Sequence, residues 1–266
     1  MNADVTTHWK TIKFDGESFL NLQDEIVTEF PLTLMLDGEE FATMVCTPTD
    51  VIDLVVGFLA SEGIIRTYPD IKNISVDLEA GFAYIELVNK SIVNKDHLSK
   101  RVIGSCCGKS RQFYFLNDMK TAKTVITRNK ITVHQCIGLM KQLEQSSIDF
   151  HKTGGLHNAA LCDGNGLLIS RTDIGRHNAL DKVYGHLIQN PIPVKDKIIA
   201  FSGRVSSEVL LKISKMGVGI LLSKSAPSDL ALQLAEELGI TVVGFIRNNT
   251  LNIYTHLERI DSLGHN

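Results

Sequence analysis

Apolar positions along this chain follow two periods, and the changes between them mark the elements. "FPLTLML" and "EFATMVCT" flank "DGEE", an Asp-Gly turn between two strand-like runs, and read as a β-hairpin. "TDVIDLVVGFLASEGII" switches to helical spacing, with Thr49 or Asp50 as the cap and Val51, Leu54, Val55 and Phe58 on one face. "NISVDLE" and "GFAYIELV" return to strand and form a second hairpin, so the stretch has the ββαββ order of a small α+β roll. The polar run "NKSIVNKDHLSKR" then reads as a linker, which divides the chain into an amino-terminal roll, 1–98, and a larger unit, 99–266.

The larger unit alternates helix and strand. "TVHQCIGLMKQLEQ" carries a capping box, Thr132 with Gln135, and puts Cys136, Leu139, Met140 and Leu143 on one stripe. "NAALCDGNGLLIS" reads as a hairpin around Asp163–Gly166 with Cys162 at its edge. "DIGRHNALDKVYGHLI" reads as a helix burying Leu180, Val183, Tyr184 and Leu187, with Asp173 as its cap. Next come "KIIAFSG", the helix "RVSSEVLLKISKM", "VGILLSKS", the helix "PSDLALQLAEELG" and "TVVGFIR". Short apolar strands between capped helices indicate parallel βαβ crossovers, with Gly217 and Gly239 at helix C-termini and Pro227 in a first turn. The fold class is α/β.

Composition narrows the function classes. A net charge of −3 over 266 residues lacks the basic excess of a dedicated nucleic-acid binder. The apolar runs fall short of the roughly 20 residues that span a membrane, and the first residues lack the apolar core of a signal peptide, so a cytoplasmic protein is expected. The five cysteines, an odd number, have no framework spacing and are expected as free thiols. In "GSCCGKSRQFYF" the adjacent Cys106 and Cys107 are a poor disulfide, because neighbouring Cα atoms lie about 3.8 Å apart and disulfides want roughly 4.4–6.8 Å.

Candidate chemistry gathers at two places. In parallel α/β sheets, ligands bind beyond the carboxyl ends of the strands. There the sequence puts Ser202-Gly203-Arg204, then Ser223-Lys224-Ser225, then Arg247 with Asn248, Asn249 and Thr250 in a turn. The first two triplets read as helix starts. Together the three strand ends suit an anionic ligand such as a nucleotide. His177 fits neither the apolar stripe nor the end of its helix, which makes it a candidate proton donor or ligand-positioning group. His-Asn-Ala occurs at His157–Ala159 and again at His177–Ala179, too short a match to establish a repeat. The second place is the cysteine pair. Zinc is not expected, since neither Cys-x-x-Cys nor His-x-Glu with Pro-Cys-x-x-Cys occurs. Arg101, Lys109 and Arg111 close to the thiols in sequence, in a Gly/Ser-rich segment, favour a reactive thiolate.

Taken together, "CCGKSR", "TGGLHNAAL", "DIGRHNALDK", "FSGRVSSE", "LLSKSAPSDLA" and "GFIRNNTLNIY" resemble the FdhD family, sulfur carriers required for formate dehydrogenase activity. The likeness runs in order from "VTEFPLTL" to "IYTHLERI", most of the chain. It implies that sulfur is taken from a cysteine desulfurase as a persulfide. It further implies delivery to the molybdenum or tungsten bis-molybdopterin guanine dinucleotide cofactor of the formate dehydrogenase catalytic subunit. A cytidine deaminase-like three-layer fold for the carboxyl-terminal part, without the deaminase zinc site, and a homodimer are implied as well. The family's Cys-Gly-x-Cys loop falls on Cys107-Gly108-Lys109-Ser110, so Cys107 matches the persulfide-bearing cysteine. Ser110 replaces the second cysteine, which leaves Cys106 as the candidate relay thiol. The family's cofactor-binding stretch falls on Phe245-Ile246-Arg247-Asn248-Asn249-Thr250. The alternative to a sulfur carrier is a non-catalytic chaperone that binds the same cofactor; a nucleotide deaminase is disfavoured by the missing zinc ligands.

Overall fold

The computed structural model describes residues 4–89, 102–103, 122–146 and 153–261. The chain opens on a hairpin that the hydrophobic pattern did not announce, β1 (Thr6–Phe14) and β2 (Phe19–Val27), paired only with each other among the described residues. It carries Trp9, Ile12, Phe14, Phe19 and Leu20 exposed, so burial leaves no alternating signature in its sequence.

The expected ββαββ order follows. β3 (Phe30–Leu36) and β4 (Glu39–Cys46) form the first hairpin, α1 (Val51–Ser61) comes next, and β5 (Ile71–Asp77) pairs with β6 (Phe82–Leu87). With β7 (Val102–Ile103) they make a five-stranded sheet of order β5-β6-β3-β4-β7. β7 lies beyond the sequence boundary at 98/99, yet pairs in parallel with Thr43 and Met44 of β4. The linker expected at 89–101 falls outside the described residues, Asn89 apart. Alternate residues Leu32, Leu34 and Leu36 of β3 and Ala83, Ile85 and Leu87 of β6 are buried with α1. α1 buries more than the one expected stripe because the sheet covers one side and a second helix the other. Asp50 stands at its N-cap in the left-handed region, φ 49°, and its side chain makes no cap bond; it faces Arg171 at 3.5 Å instead.

The second sheet has six strands in the order β10-β9-β11-β12-β13-β14. β8 (Ile131–Thr132) leads into α2 (Val133–Gln145), whose Thr132–Gln135 capping box forms as expected. β9 (His157–Cys162) and β10 (Leu167–Asp173) form the predicted hairpin, followed by α3 (Arg176–Gln189). β11 (Ile198–Phe201), α4 (Ser207–Met216), β12 (Ile220–Ser223), α5 (Asp229–Leu238) and β13 (Thr241–Arg247) supply the parallel crossovers, and β14 (Thr250–Ile253) returns antiparallel. α2 packs on one face through Cys136, Leu139, Met140 and Leu143; α3, α4 and α5 cover the other. Gly217 and Gly239 end α4 and α5 with φ of 82° and 70°. Cys162, expected at a hairpin edge, is fully buried, because β9 lies inside the sheet between β10 and β11. Pro227 precedes the N-cap Ser228 of α5 and so stands outside the first turn.

The two sheets meet across α1 and α3. Gly57 and Gly185 face each other so closely that a Cβ on either would come within 1.8 Å of a backbone oxygen of the opposite helix. Behind this crossing, Lys212 is ion-paired with Asp181, to which Ser61 also donates at 2.6 Å; Lys215 donates to the Ser61 carbonyl at 2.6 Å. All four residues are buried.

Candidate functional site

β11, β12 and β13 run parallel, so their carboxyl ends open onto one edge of the six-stranded sheet. β9 runs antiparallel to β11 and therefore starts at this edge. The first two predicted triplets do meet there. Ser225 Oγ donates to the Ser202 carbonyl at 3.2 Å, Ser223 Oγ donates to the Gly203 carbonyl at 2.8 Å, and the Phe245 N–H reaches the Ser225 carbonyl at 3.3 Å. They are not helix starts, however. The N-caps of α4 and α5 are Ser206 and Ser228, so each triplet is a loop joining strand to helix. Ser202 and Ser223 spend their hydroxyls internally: Ser202 Oγ accepts the Asn158 N–H at 2.9 Å and Ser223 Oγ accepts the Ser225 N–H at 3.0 Å. Arg204 is exposed, while Lys224 forms an ion pair with Glu144 of α2 at 2.8 Å.

The third segment flanks this edge. Arg247 to Thr250 make a two-residue hairpin turn, with Asn248 and Asn249 at φ 50° and 61°, the left-handed pair that such turns demand. Lys141 of α2 holds the turn by donating to Asn249 Oδ1 at 3.0 Å. Phe245 sits where the β13–β14 register slips, at φ 52°, an uncommon conformation for a bulky residue, and the Arg247 guanidinium lies over its ring at 5.4 Å. Ile246 points the other way, and its side chain packs into the core beneath α2.

Three residues that sequence reasoning did not assign to the site complete the edge. His157 opens β9 opposite Asp173, and its imidazole is held below the usual 6.5, first by burial and then by the Arg176 charge. Asn158 donates its N–H to Ser202 Oγ and accepts the Ser202 N–H at its carbonyl, and its buried side-chain oxygen has no hydrogen-bond partner among the described residues. The same is true of Arg176 Nε, buried beside Gly203, where a Cβ on Gly203 would meet Arg176 Cβ at 3.3 Å. Buried polar atoms left without partners are rare in folded chains, and among the described residues two of them lie at this edge. His177, next to Arg176, lies 3.4 Å from Glu208 at the start of α4. The repeated His-Asn-Ala was the available signal; one copy is in a strand and the other in a helix, so they are no internal repeat.

Asp173 is not the cap of α3. The N-cap is Gly175, and Asp173 lies two residues earlier with its carboxylate fully buried. A cavity of about 690 Å³ between Arg66–Pro69 and Pro191–Val194 lies toward the opposite end of the parallel strands, away from this edge. Cys46, Cys136 and Cys162 are buried, and burial pushes each thiol up to about 12. Cys106 and Cys107 lie outside the described residues. Among the described residues there is no cluster of three metal-ligating side chains, and no helix is long and apolar enough to cross a membrane.

The fold and the edge define a mixed α/β protein with two main sheets, of six and five strands, and with its candidate polar residues gathered beyond the carboxyl ends of the parallel strands. The chain belongs to the FdhD/NarQ family, whose model matches residues 27–261. It is 54% identical over 260 residues to the sulfur carrier protein FdhD of Bacillus subtilis strain 168, covering 98% of this chain and 99% of that one. It is 59% identical over 248 residues to the sulfur carrier protein FdhD of Geobacillus kaustophilus strain HTA426, covering 93% and 94%. A crystal structure from Desulfotalea psychrophila, described as that of a formate dehydrogenase accessory protein, superposes with a TM-score of 0.80 over 97% of this chain and 100% of that one. At 20% sequence identity, that likeness speaks for the fold.

Proposed function

We propose that this protein is a sulfur carrier that takes persulfide sulfur from a cysteine desulfurase and delivers it to the bis-molybdopterin guanine dinucleotide cofactor destined for formate dehydrogenase. The observation that carries the reading is the full-length identity of 54% and 59% to proteins named as sulfur carriers. Cys107 thiolate attacks the outer sulfur of the desulfurase persulfide; that sulfur–sulfur bond breaks, the desulfurase leaves as a thiolate, and Cys107 holds the sulfur as its own persulfide. The three thiols pushed up to about 12 are poor nucleophiles near neutral pH, which supports assigning the chemistry to the Cys106–Cys107 pair. The outer sulfur then passes to the cofactor metal, which supplies the two electrons that convert it to sulfide, and Cys107 returns to its thiolate.

The substrate's guanine nucleotide arms carry phosphates and hydrogen-bonding bases. Arg176 Nε and Asn158 Oδ1, without partners among the described residues, and exposed Arg204 and Arg247 on the edge fit such a ligand. The strand order, an antiparallel hairpin followed by parallel crossovers, accords with a cytidine deaminase-like layer. A cytoplasmic homodimer acting on the formate dehydrogenase catalytic subunit completes the reading. Incubation with a cysteine desulfurase and cysteine, followed by peptide mass spectrometry, is expected to place the added mass of one sulfur atom on Cys107. Cys107→Ala should abolish formate dehydrogenase maturation, and full maturation by that variant would refute the assignment. A protein that restores maturation without ever carrying the sulfur is instead a cofactor chaperone.

A further inference from the structure

Asp173 collects five hydrogen-bond donors in a site without solvent. Oδ1 accepts the Gly175 N–H at 2.8 Å and Asn178 Nδ2 at 2.9 Å, both at the start of α3. Oδ2 accepts the Thr47 N–H at 3.0 Å, Thr47 Oγ1 at 3.0 Å and Lys182 Nζ at 2.8 Å. Lys182 also donates to Thr47 Oγ1 at 2.8 Å, and Asn178 Nδ2 to the Val45 carbonyl at 2.9 Å. Asp173, Lys182 and Thr47 are each 0% exposed. Two of the partners, Val45 and Thr47, lie at the end of β4 and just after it, in the other sheet's unit. The remaining partners are on the chain that carries Arg176 and His177.

An ion pair this deeply buried contributes little net stability over apolar replacements, so its presence calls for a geometric explanation. Gly175 lacks a capping side chain, and the Asn178 amide folds back over it, 2.8 Å from where a Cβ would sit. The backbone direction into α3 is therefore set by Asp173 rather than by a cap. We infer that Asp173, clamped by Thr47 and Lys182, is a positioning residue that holds Arg176 and His177 at the ligand edge, so that the β4 end of the amino-terminal unit sets the binding geometry of the other. The inference rests on reading this edge as the nucleotide-binding site of the proposed function.

The test uses the full chain with Thr47→Val, which removes the hydroxyl at near-constant volume, and Thr47→Ser, which restores it. Both variants are first shown to unfold cooperatively in urea. In Thr47→Val the His177 imidazole resonances are expected to shift, amides from Gly175 to Leu180 to exchange faster, and the affinity for guanosine diphosphate to fall roughly tenfold, the scale of one buried hydrogen bond. Thr47→Ser is expected to restore all three. Unchanged His177 resonances and exchange in Thr47→Val, or a loss that serine does not restore, would overturn the clamp. Should the unmodified protein bind no guanosine diphosphate, the nucleotide reading of the edge falls, while the resonances and exchange rates still decide the clamp. Should Thr47→Val fail to fold, Asp173→Asn, which keeps the side-chain shape but removes the charge and turns one acceptor oxygen into an NH2 donor, replaces it under the same readouts.

Discussion

At His157, burial and the neighbouring Arg176 charge depress the imidazole pKa below 6.5, and Asp173 opposes them without cancelling the shift. The folded form thus keeps a neutral ring at a pH where the unfolded chain takes up a proton. The stability tied to this group is present above 6.5 and is lost as the pH falls from there toward the lower folded value. His157→Gln should remove that dependence: urea unfolding above and below pH 6.5 is expected to show the wild type losing more stability on acidification than the variant. No sequence feature announced this environment, since Arg176 reaches His157 only because β10 and α3 return the chain to the start of β9. Cys136 was different. Its place on the apolar stripe of α2 already made it a buried thiol, as it is.

At the level of elements, local chemistry decided the starts and stops wherever it acted within one turn. The Thr132–Gln135 box and the glycines ending α4 and α5 are of this kind. Asp50 and Asp173 are the exceptions: the Asp50 carboxylate faces distant Arg171, and Asp173 lies before the Gly175 N-cap with its carboxylate held by Lys182 of the same helix and by Thr47. The α1–α3 crossing offers the sharpest test of an element pair. Gly57→Ala places a methyl 1.8 Å from the Asp181 carbonyl oxygen, and backbone cannot yield as a side chain would. A loss of about 3 kcal/mol or more is expected in urea or thermal unfolding. Gly138→Ala, in the middle of α2 with open space around it, is the control and should cost nothing.

Across the whole molecule, the two main sheets meet across α1 and α3, through the Gly57–Gly185 contact, Tyr184 and Ile188, and through polar groups buried between α1, α3 and α4. Lys212→Ala leaves the Asp181 carboxylate buried without its cation and is expected to cost about 3–5 kcal/mol, read from the urea midpoint at constant slope. Most elements after β2, the α/β class, the parallel crossovers and the Asn248–Asn249 turn were legible in the sequence, because periodicity and turn chemistry act over a few neighbouring residues. The family was legible too, because six motifs recur in one order. Which of the marked residues turn toward the edge was not. Ser202 and Ser223 turned out to spend their hydroxyls on neighbouring backbone, Ile246 to be core, and Arg176 and Asn158 to hold buried polar atoms without partners among the described residues. Those outcomes depend on which strands lie side by side and on which charges meet in the buried joint between the two sheets, and only tertiary packing decides that.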